Sequence, residues 1–254
     1  MNDIPKLSLM SGENIFVPHV GTVRQPKLKE ISYYESIFGE NSIASFLALI
    51  RLDVPSLIDL LGIKKQLDQI DEEYKKDLVP FDIFISNQYC RESLSEGLSF
   101  FMLERLVFDN AQLIFWVVDD NGKVVGVVSR ETFNELMKVI MTITARKIPD
   151  TKPKIYKSQE AREIAEKLAE GRKQMSKSSG EDLQWSISNI ISSICVGSNS
   201  YNLLNVFDLT LYQLYDQYDR LLGFISFNVY STRWAAWGDK EFDCTVWSKP
   251  FEKG

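Results

Sequence analysis

The order of apolar and polar residues predicts a series of helices in the first third of the chain. Residues 32–52 carry their apolar side chains at the spacing of one helix face, which predicts a helix there. Residues 53–55 interrupt this pattern, and a short helix over 56–61 can end at Gly62. Residues 63–78 place one narrow apolar stripe on a charged background, which is typical of an exposed amphipathic helix.

The middle of the chain changes from a helical to an alternating pattern. Residues 80–108 contain the run LSFFMLERLVF, which is longer than a usual strand and predicts a buried helix. Two apolar segments, 113–118 and 123–128, then flank Asn121-Gly122, the residue pair most typical of a tight hairpin turn. The sequence therefore predicts a β-hairpin here, followed by a helix over 132–143.

The N-terminal part and the region after these helices lack a strong apolar pattern. In residues 1–30, Pro18 and Pro26 disfavour helical conformation at the residues before them, so we expect an extended arm or a short hairpin. Residues 145–157 hold two prolines and five basic residues, and we interpret them as a linker. Residues 158–175 are rich in alanine and charged residues, which predicts a helix largely surrounded by water rather than a nucleic-acid contact.

The C-terminal part combines two predicted helices with an aromatic ending. Residues 183–197 have helical spacing, and residues 208–221, DLTLYQLYDQYDRL, predict a second helix with Asn205 or Asp208 as its N-terminal cap. Three of the five tryptophans follow within fourteen positions. The acidic residues of the second helix lie beside its apolar stripe, so a packing helix is favoured over an acidic site. The stripe comprises positions 211, 214, 215, 218, 221 and 222.

Together these patterns predict a mainly helical protein of the α+β class. It has one central β-hairpin near 113–128, and short N-terminal strands are also possible. We expect four regions, which are an extended N-terminal arm over 1–30, a helical domain over 31–146, a linker over 147–157 and a helical C-terminal domain with an aromatic-rich end over 158–254.

Composition and charge narrow the class of protein. Hydrophobic residues make up 44% of the 254 residues, which is enough for a substantial core. The net charge of −6 argues against general affinity for nucleic acid or anionic membranes. The first sixteen residues lack the basic cluster and apolar run of a secretory signal, and no apolar run approaches the roughly 20 residues that span a bilayer. We therefore expect a cytoplasmic protein without membrane segments.

Few residues suit catalysis or cofactor binding. Cys90, Cys195 and Cys244 are widely separated and lie among apolar neighbours, so we interpret them as reduced core thiols. The single histidine, His19, argues against most Ser-His and Cys-His arrangements, and the sequence contains no phosphate-binding, dinucleotide-binding or hydrolase motif. We therefore expect neither an enzyme nor a protein that holds a cofactor.

Clusters of acidic residues are the remaining candidates for a metal site. The cluster at 71–73 is balanced by nearby lysines, Asp119-Asp120 belongs to the predicted turn, and Asp216 lies one helical turn from Asp219. For each of them a solvated or ion-paired role is favoured over metal binding. The same interpretation applies to a fourth cluster, which comprises Asp239, Glu241 and Asp243.

The aromatic residues near the C-terminal end are the strongest candidates for a binding surface. This stretch contains Trp234, Trp237, Phe242, Trp247 and Phe251. So much aromatic surface either packs onto the domain itself or contacts a partner, and core packing is the more common of the two roles.

Four features of the sequence occur together: GTVRQPKLKEI at 21–31, a charged helix over 161–173, NVFDLTLYQLYDQYDRL at 205–221 and the tryptophan-rich ending. In this combination the chain resembles a family of tailed-phage proteins of Gram-positive hosts that are related to tail assembly chaperones. The resemblance extends loosely over the whole chain and is concentrated in these blocks.

This resemblance implies a non-enzymatic protein of phage tail morphogenesis, located in the bacterial host cytoplasm or associated with the virion. It implies binding to the long helical tape-measure protein or to tail-tube subunits, and release before the particle is complete. Homo-oligomer formation is compatible with the same role. We expect the partner-binding surface to include Tyr212, Tyr215, Tyr218, Trp234, Trp237, Trp247 and Phe251.

Two alternatives to a chaperone stay open at the level of the sequence. One is a permanent minor component of the virion, such as a neck, tail or tail-tip protein. The other is a metal-dependent enzyme, for example a nuclease, that uses one of the acidic clusters. The first differs from a chaperone in staying in the particle, and the second differs in binding Mg²⁺ or Mn²⁺.

Overall fold

The computed structural model describes residues 4–63, 77–144 and 186–238. Within these residues the protein has nine α-helices and two small antiparallel sheets, which confirms the predicted mainly helical α+β class. Several predicted features lie outside the described residues. They are most of the amphipathic helix at 63–78, the linker at 147–157, the charged helix at 158–175, Cys244, Trp247 and Phe251.

The described elements follow one another in a helix-rich order. The first group comprises α1 (Lys6–Ser11), β1 (Ile15–Val17), β2 (Gly21–Val23), α2 (Leu28–Phe38), α3 (Ser42–Leu49), α4 (Val54–Leu61), α5 (Pro80–Ser86) and α6 (Gln88–Phe101). The second group comprises β3 (Arg105–Asp109), β4 (Ile114–Val118), β5 (Val124–Val128), α7 (Phe133–Ile143), α8 (Ile187–Gly197), a 3₁₀ turn (Val206–Asp208) and α9 (Leu211–Trp237).

Helix α4 shows how local sequence sets the ends of an element. The Asp53 side chain accepts a hydrogen bond from the backbone N–H of Ser56 (3.0 Å), and Pro55 occupies the first turn, where no backbone donor is needed. Gly62 ends the helix in the left-handed conformation, with φ 63°. The short helix predicted over 56–61 is therefore confirmed, but it begins two residues earlier, at Val54.

The central hairpin is also confirmed. Strands β4 and β5 pair antiparallel on either side of the turn, and Gly122 adopts φ 79° in it. The Asp119 carboxylate accepts hydrogen bonds from the backbone N–H groups of Asn121 (2.9 Å) and Lys123 (2.8 Å). Asp119 is thus a turn residue, as the sequence predicted.

The predicted helix over 80–108 is interrupted at Asn87 and is wrong after Phe101. Helix α6 ends at Phe101, and β3 pairs with β4 to make a three-stranded sheet. The chain leaves the helical conformation at Met102, which forms a bridge with Val23, while the backbone N–H of Leu103 donates to the Thr22 carbonyl (2.9 Å). Pairing with a distant hairpin thus overrides the local pattern of a continuous apolar run.

The N-terminal residues are packed into the core. The expected short hairpin is present as β1–β2, with exposed His19 in its turn. Helix α1 was not predicted; it precedes both prolines, so their effect on the backbone does not reach it. Val17, Val20 and Val23 are fully buried, so the hairpin forms part of the core rather than a free arm.

Close backbone contact joins this hairpin to the three-stranded sheet. The backbone N–H of Val127 donates to the His19 carbonyl (2.9 Å). A Cβ atom placed on Gly126 would lie 2.3 Å from the carbonyl oxygen of Val20. Only glycine therefore allows the two chains to approach so closely at this position.

The chain forms two compact units. The first, unit 1, comprises Met1–Ile148 together with Asp208–Gln213, and the second, unit 2, comprises Pro149–Phe207 together with Leu214–Gly254. The short return segment, 208–213, is held to unit 1 by backbone pairing. The N–H of Leu28 donates to the Leu209 carbonyl (2.8 Å), and Lys27 bridges to Thr210.

Thr210, rather than Asn205 or Asp208, caps helix α9. The N–H of Gln213 donates to the Thr210 hydroxyl (3.3 Å), and the N–H of Thr210 donates to the Gln213 side-chain oxygen (2.8 Å). This reciprocal pair is a capping box. The predicted cap is therefore wrong, because Asp208 instead forms an ion pair with Lys29 (2.7 Å) and Asn205 accepts a hydrogen bond from the N–H of Asn202.

Candidate protein-interaction site

Helix α9 is 27 residues long, and its apolar side chains are buried in the first turn and exposed towards its end. Leu211 and Leu214, in the first turn, are buried. Further along, Tyr215, Tyr218, Leu222, Ile225 and Val229 follow one another at alternating intervals of three and four residues, so they lie on one side of the helix. Exposure increases along this series, and Val229 is 60% exposed. We call these five residues the first seam.

A second apolar series lies on another side of the same helix. Phe227, Tyr230, Trp234 and Trp237 are spaced by three, four and three residues. Tyr230, Trp234 and Trp237 are exposed, and Trp237 keeps 79% of its surface in contact with solvent. We call these four residues the second seam. The end of α9 therefore presents large apolar side chains on two sides.

Within unit 2, helix α8 supplies most of the buried apolar side chains. These are Ile190, Ile191 and Ile194 of α8, with Val206 and with Leu214 of α9. A Cβ atom on Gly197 would lie 2.7 Å from a methyl group of Leu221, so the end of α8 lies close to α9 there. No apolar side chain of α9 after Leu214 is fully buried by the described residues.

The exposed half of α9 carries almost no charge. Between Leu221 and Trp237 the only charged residue is Arg233, whereas Asp216, Asp219 and Arg220 all precede this segment. A helix surface with many exposed apolar side chains and few charges favours contact with another apolar surface over contact with a polyanion. The surface is therefore apolar and nearly uncharged, and its role in partner binding stays a prediction.

The predicted partner-binding residues differ in their exposure, and two of them lie outside the described residues. Tyr212, Tyr215 and Tyr218 are half-buried and all make contacts within the protein. Trp234 and Trp237 are exposed on the second seam. Trp247 and Phe251 lie outside the described residues.

Sequence reasoning missed the apolar residues between the tyrosines and the tryptophans. Ile225, Val229 and Tyr230 are not among the predicted partner-binding residues, and they lie beyond Leu222, the last position of the predicted apolar stripe. The signal that could have found them is the continuation of the three-and-four spacing beyond Leu222. Gly223 does not interrupt the helix.

Among the described residues, the cysteines are at least partly buried and no cluster of metal ligands occurs. Cys90 is buried, and burial raises the pKa of its thiol, while Cys195 is half-buried. In the described ranges, no three His, Cys, Asp or Glu side chains come together in the way that metal ligands do. Among the helices of these same ranges, none has both the length and the apolar composition that crossing a bilayer requires.

Part of the chain matches a known protein family. Residues 175–252 match the family model described as the YomV second domain, which is phage-associated and consistent with a phage protein. The matched segment is less than a third of the chain and includes all of α8 and α9. No curated protein and no solved structure matches the chain.

Proposed function

We propose that this protein acts in phage tail morphogenesis as an assembly chaperone, binding the tape-measure protein, tail-tube subunits or both. The observation that supports this role is the pair of exposed apolar seams on α9, inside the segment that matches a phage-associated family. The role needs binding and release, and it uses no catalytic group. It also fits the sequence resemblance to proteins related to tail assembly chaperones.

The spacing of the seams suits a helical partner. Apolar residues at alternating intervals of three and four let two helices pack side by side with interlocking side chains. A tape-measure protein, as a long helical chain, would expose apolar stripes of matching spacing before the tail tube encloses it. A partner that covers these stripes prevents their association with one another.

The exposed side chains would contribute part of the binding free energy. Ile225, Val229, Tyr230 and Trp234 are about half exposed, so covering them would contribute about 0.75–1.5 kcal/mol each, or about 3–6 kcal/mol in total before the entropic cost of association. A modest contribution of this size suits a complex that forms during assembly and then dissociates, as a chaperone that leaves the particle must.

Co-purification with a recombinant segment of the tape-measure protein from the same phage tests the proposal. We expect Val229→Glu to abolish capture, because it places a charge at the most exposed end of the first seam. Val196→Glu is the matched control, since Val196 lies on α8 in the same unit and is 89% exposed. Equal capture by both variants, with circular dichroism showing that both are folded, would contradict a role for the seam.

Mass spectrometry of purified particles separates a chaperone from a permanent virion component. We expect the protein to be depleted from finished particles, since a chaperone acts before the tail is complete. A defined copy number in every particle would replace the chaperone role with that of a structural subunit in the neck, tail or tail tip.

A further inference from the structure

Helices α2 and α6 of unit 1 line an open cleft of about 590 Å³. From α2 the lining includes Tyr33, Tyr34, Ile37 and Phe38. From α6 it includes Glu96 and Phe100.

The aromatic rings of the cleft contact one another. The ring centre of Tyr34 lies 4.4 Å from that of Phe38 and 4.6 Å from that of Phe100. The Arg24 guanidinium lies 5.0 Å from the ring centre of Phe100. The cleft therefore already holds one cation against an aromatic ring, which is a favourable cation–π arrangement.

The charges of the cleft do not all have partners. The Arg24 guanidinium pairs with Glu30 (3.0 Å), and the Lys29 ammonium pairs with Asp208 (2.7 Å). Glu96 makes no ion pair or hydrogen bond in the part of the chain that the structure describes. The cleft is thus left with one uncompensated negative charge beside its aromatic rings.

Tyr34 lies where this charge and the aromatic group meet. Partial burial and, to a smaller extent, the Glu96 carboxylate together raise the pKa of Tyr34 to about 12. Tyr34 is therefore neutral at physiological pH and adds no negative charge of its own. Glu96 is therefore the acidic side chain of the lining that has no ion pair among the described residues.

The outer edge of the cleft is apolar and exposed. Tyr33 and Ile37 follow each other by one helical turn on α2 and are 70% and 57% exposed. Removing such large apolar side chains from water is favourable, so an apolar partner surface would cover them. The cleft thus combines an apolar edge with an acidic and aromatic interior.

We propose that this cleft is a second binding site, which accepts a lysine or arginine side chain from an amphipathic helix of a partner protein. The cation contacts Glu96 and the faces of Tyr33 and Tyr34, and the apolar side of the helix covers Ile37 and Phe38. The site is independent of the two seams on α9.

An NMR titration of the full-length ¹⁵N-labelled protein with a synthetic peptide tests this site. The probe is an amidated amphipathic peptide of about 15 residues, long enough for marginal helicity, with leucine and lysine along one face. We expect amide shifts to change mainly within residues 29–38 and 96–100. A matched peptide with glutamate in place of lysine should cause no such changes.

Two variants identify the charge that binds. Glu96→Gln removes the negative charge and should lower the affinity for the lysine peptide by about tenfold, because a charge-assisted hydrogen bond is lost. Glu92→Gln is the matched control, since Glu92 lies one turn earlier on α6, outside the cleft, and accepts a hydrogen bond from Gln88 (2.9 Å). It should bind the peptide like the natural protein, and both spectra report whether the variants are folded.

Three results would overturn the proposal. One is equal binding of the lysine and glutamate peptides, and another is unchanged affinity in folded Glu96→Gln. The third is a set of shifts that appears on dilution without peptide, which would identify a second copy of this chain as the occupant. Val229→Glu should leave peptide binding at the cleft unchanged, so failure of the chaperone role and failure of this site are distinguishable.

Discussion

Helices α6 and α9 are both long, but they relate to the core in opposite ways. Helix α6 has 14 residues, and Leu94, Leu98 and Phe101 are fully buried along it. Helix α9 is nearly twice as long, yet its buried apolar residues are confined to Leu211 and Leu214. Most of the stability of a helix in a protein comes from packing of its apolar face. The length of a helix therefore does not show how much it contributes to the stability of the fold.

The residues in the exposed half of α9 are poorly suited to a helix that stays in water. Its exposed half contains β-branched and aromatic residues such as Ile225, Val229 and Tyr230, which have lower intrinsic helix propensity than alanine or leucine. A solvent-exposed helix gains most from good helix formers. The sequence of α9 is instead suited to packing, which is consistent with the proposed binding of a partner.

Truncation of one aromatic residue from each helix should give the largest contrast. We expect Phe101→Ala to lower the free energy of unfolding by about 3–5 kcal/mol, because Phe101 is fully buried. Trp237→Ala should change it by no more than about 0.5 kcal/mol, because Trp237 is exposed. Urea denaturation measures both. A large loss for Trp237→Ala would mean that the end of α9 is part of the core.

Glycine substitutions provide a second contrast between the units. Gly126→Ala should cost about 1–3 kcal/mol, because its new methyl group would meet the backbone of Val20. In Gly197→Ala the atoms nearest to the methyl group would belong to the flexible side chain of Leu221, so we expect a smaller loss. Thermal unfolding of both variants measures the difference. Similar losses would show that the contact in unit 2 is as rigid as that in unit 1.

The start of α9 can be tested through its cap. Thr210→Ala removes the hydroxyl that accepts from the N–H of Gln213, and it should cost about 1 kcal/mol. Thr210→Ser keeps the hydroxyl and should recover most of that loss. Equal losses in the two variants would indicate that the methyl group, rather than the capping hydrogen bond, stabilises this turn.

The smallest expected effect concerns the exposed ion pair between Lys29 and Asp208. The hydrogen bond and charge of Lys29 lower the pKa of the Asp208 carboxyl below its ordinary value. The stabilisation is therefore present above the unfolded-state pKa of about 3.9 and is lost as the pH falls through the lower folded-state value. Asp208→Asn should be slightly less stable than the natural protein at pH 7, with the difference disappearing in acid and in high salt.

Features set by neighbouring residues could be predicted from the sequence. The ends of α4 follow from Asp53 and Gly62, and the central hairpin follows from Asn121-Gly122 between two β-branched segments. In each of these cases the residues that decide the structure lie within a few positions of one another. The pattern in one short segment was therefore sufficient.

Features set by distant residues could not be predicted in this way. Strand β3 forms because the chain after Phe101 pairs with the N-terminal hairpin and with β4. The cleft requires Tyr33 and Tyr34 of α2 to meet Glu96 and Phe100 of α6, which no local pattern reports. The aromatic residues of α9 were identified as candidates from the sequence, and their role in partner binding stays a prediction.

The pairing of residues 27–29 with the return segment, 208–213, affects the order in which the protein can fold during synthesis. Lys29 and Asp208 are 179 positions apart, so the ribosome must add all of the intervening chain before this contact can form. At about 5–20 residues per second this delay is roughly 10–40 seconds. Until then the backbone N–H of Leu28 lacks its carbonyl partner, Leu209. Completion of unit 1 is therefore a late event in translation, although most of its residues emerge first.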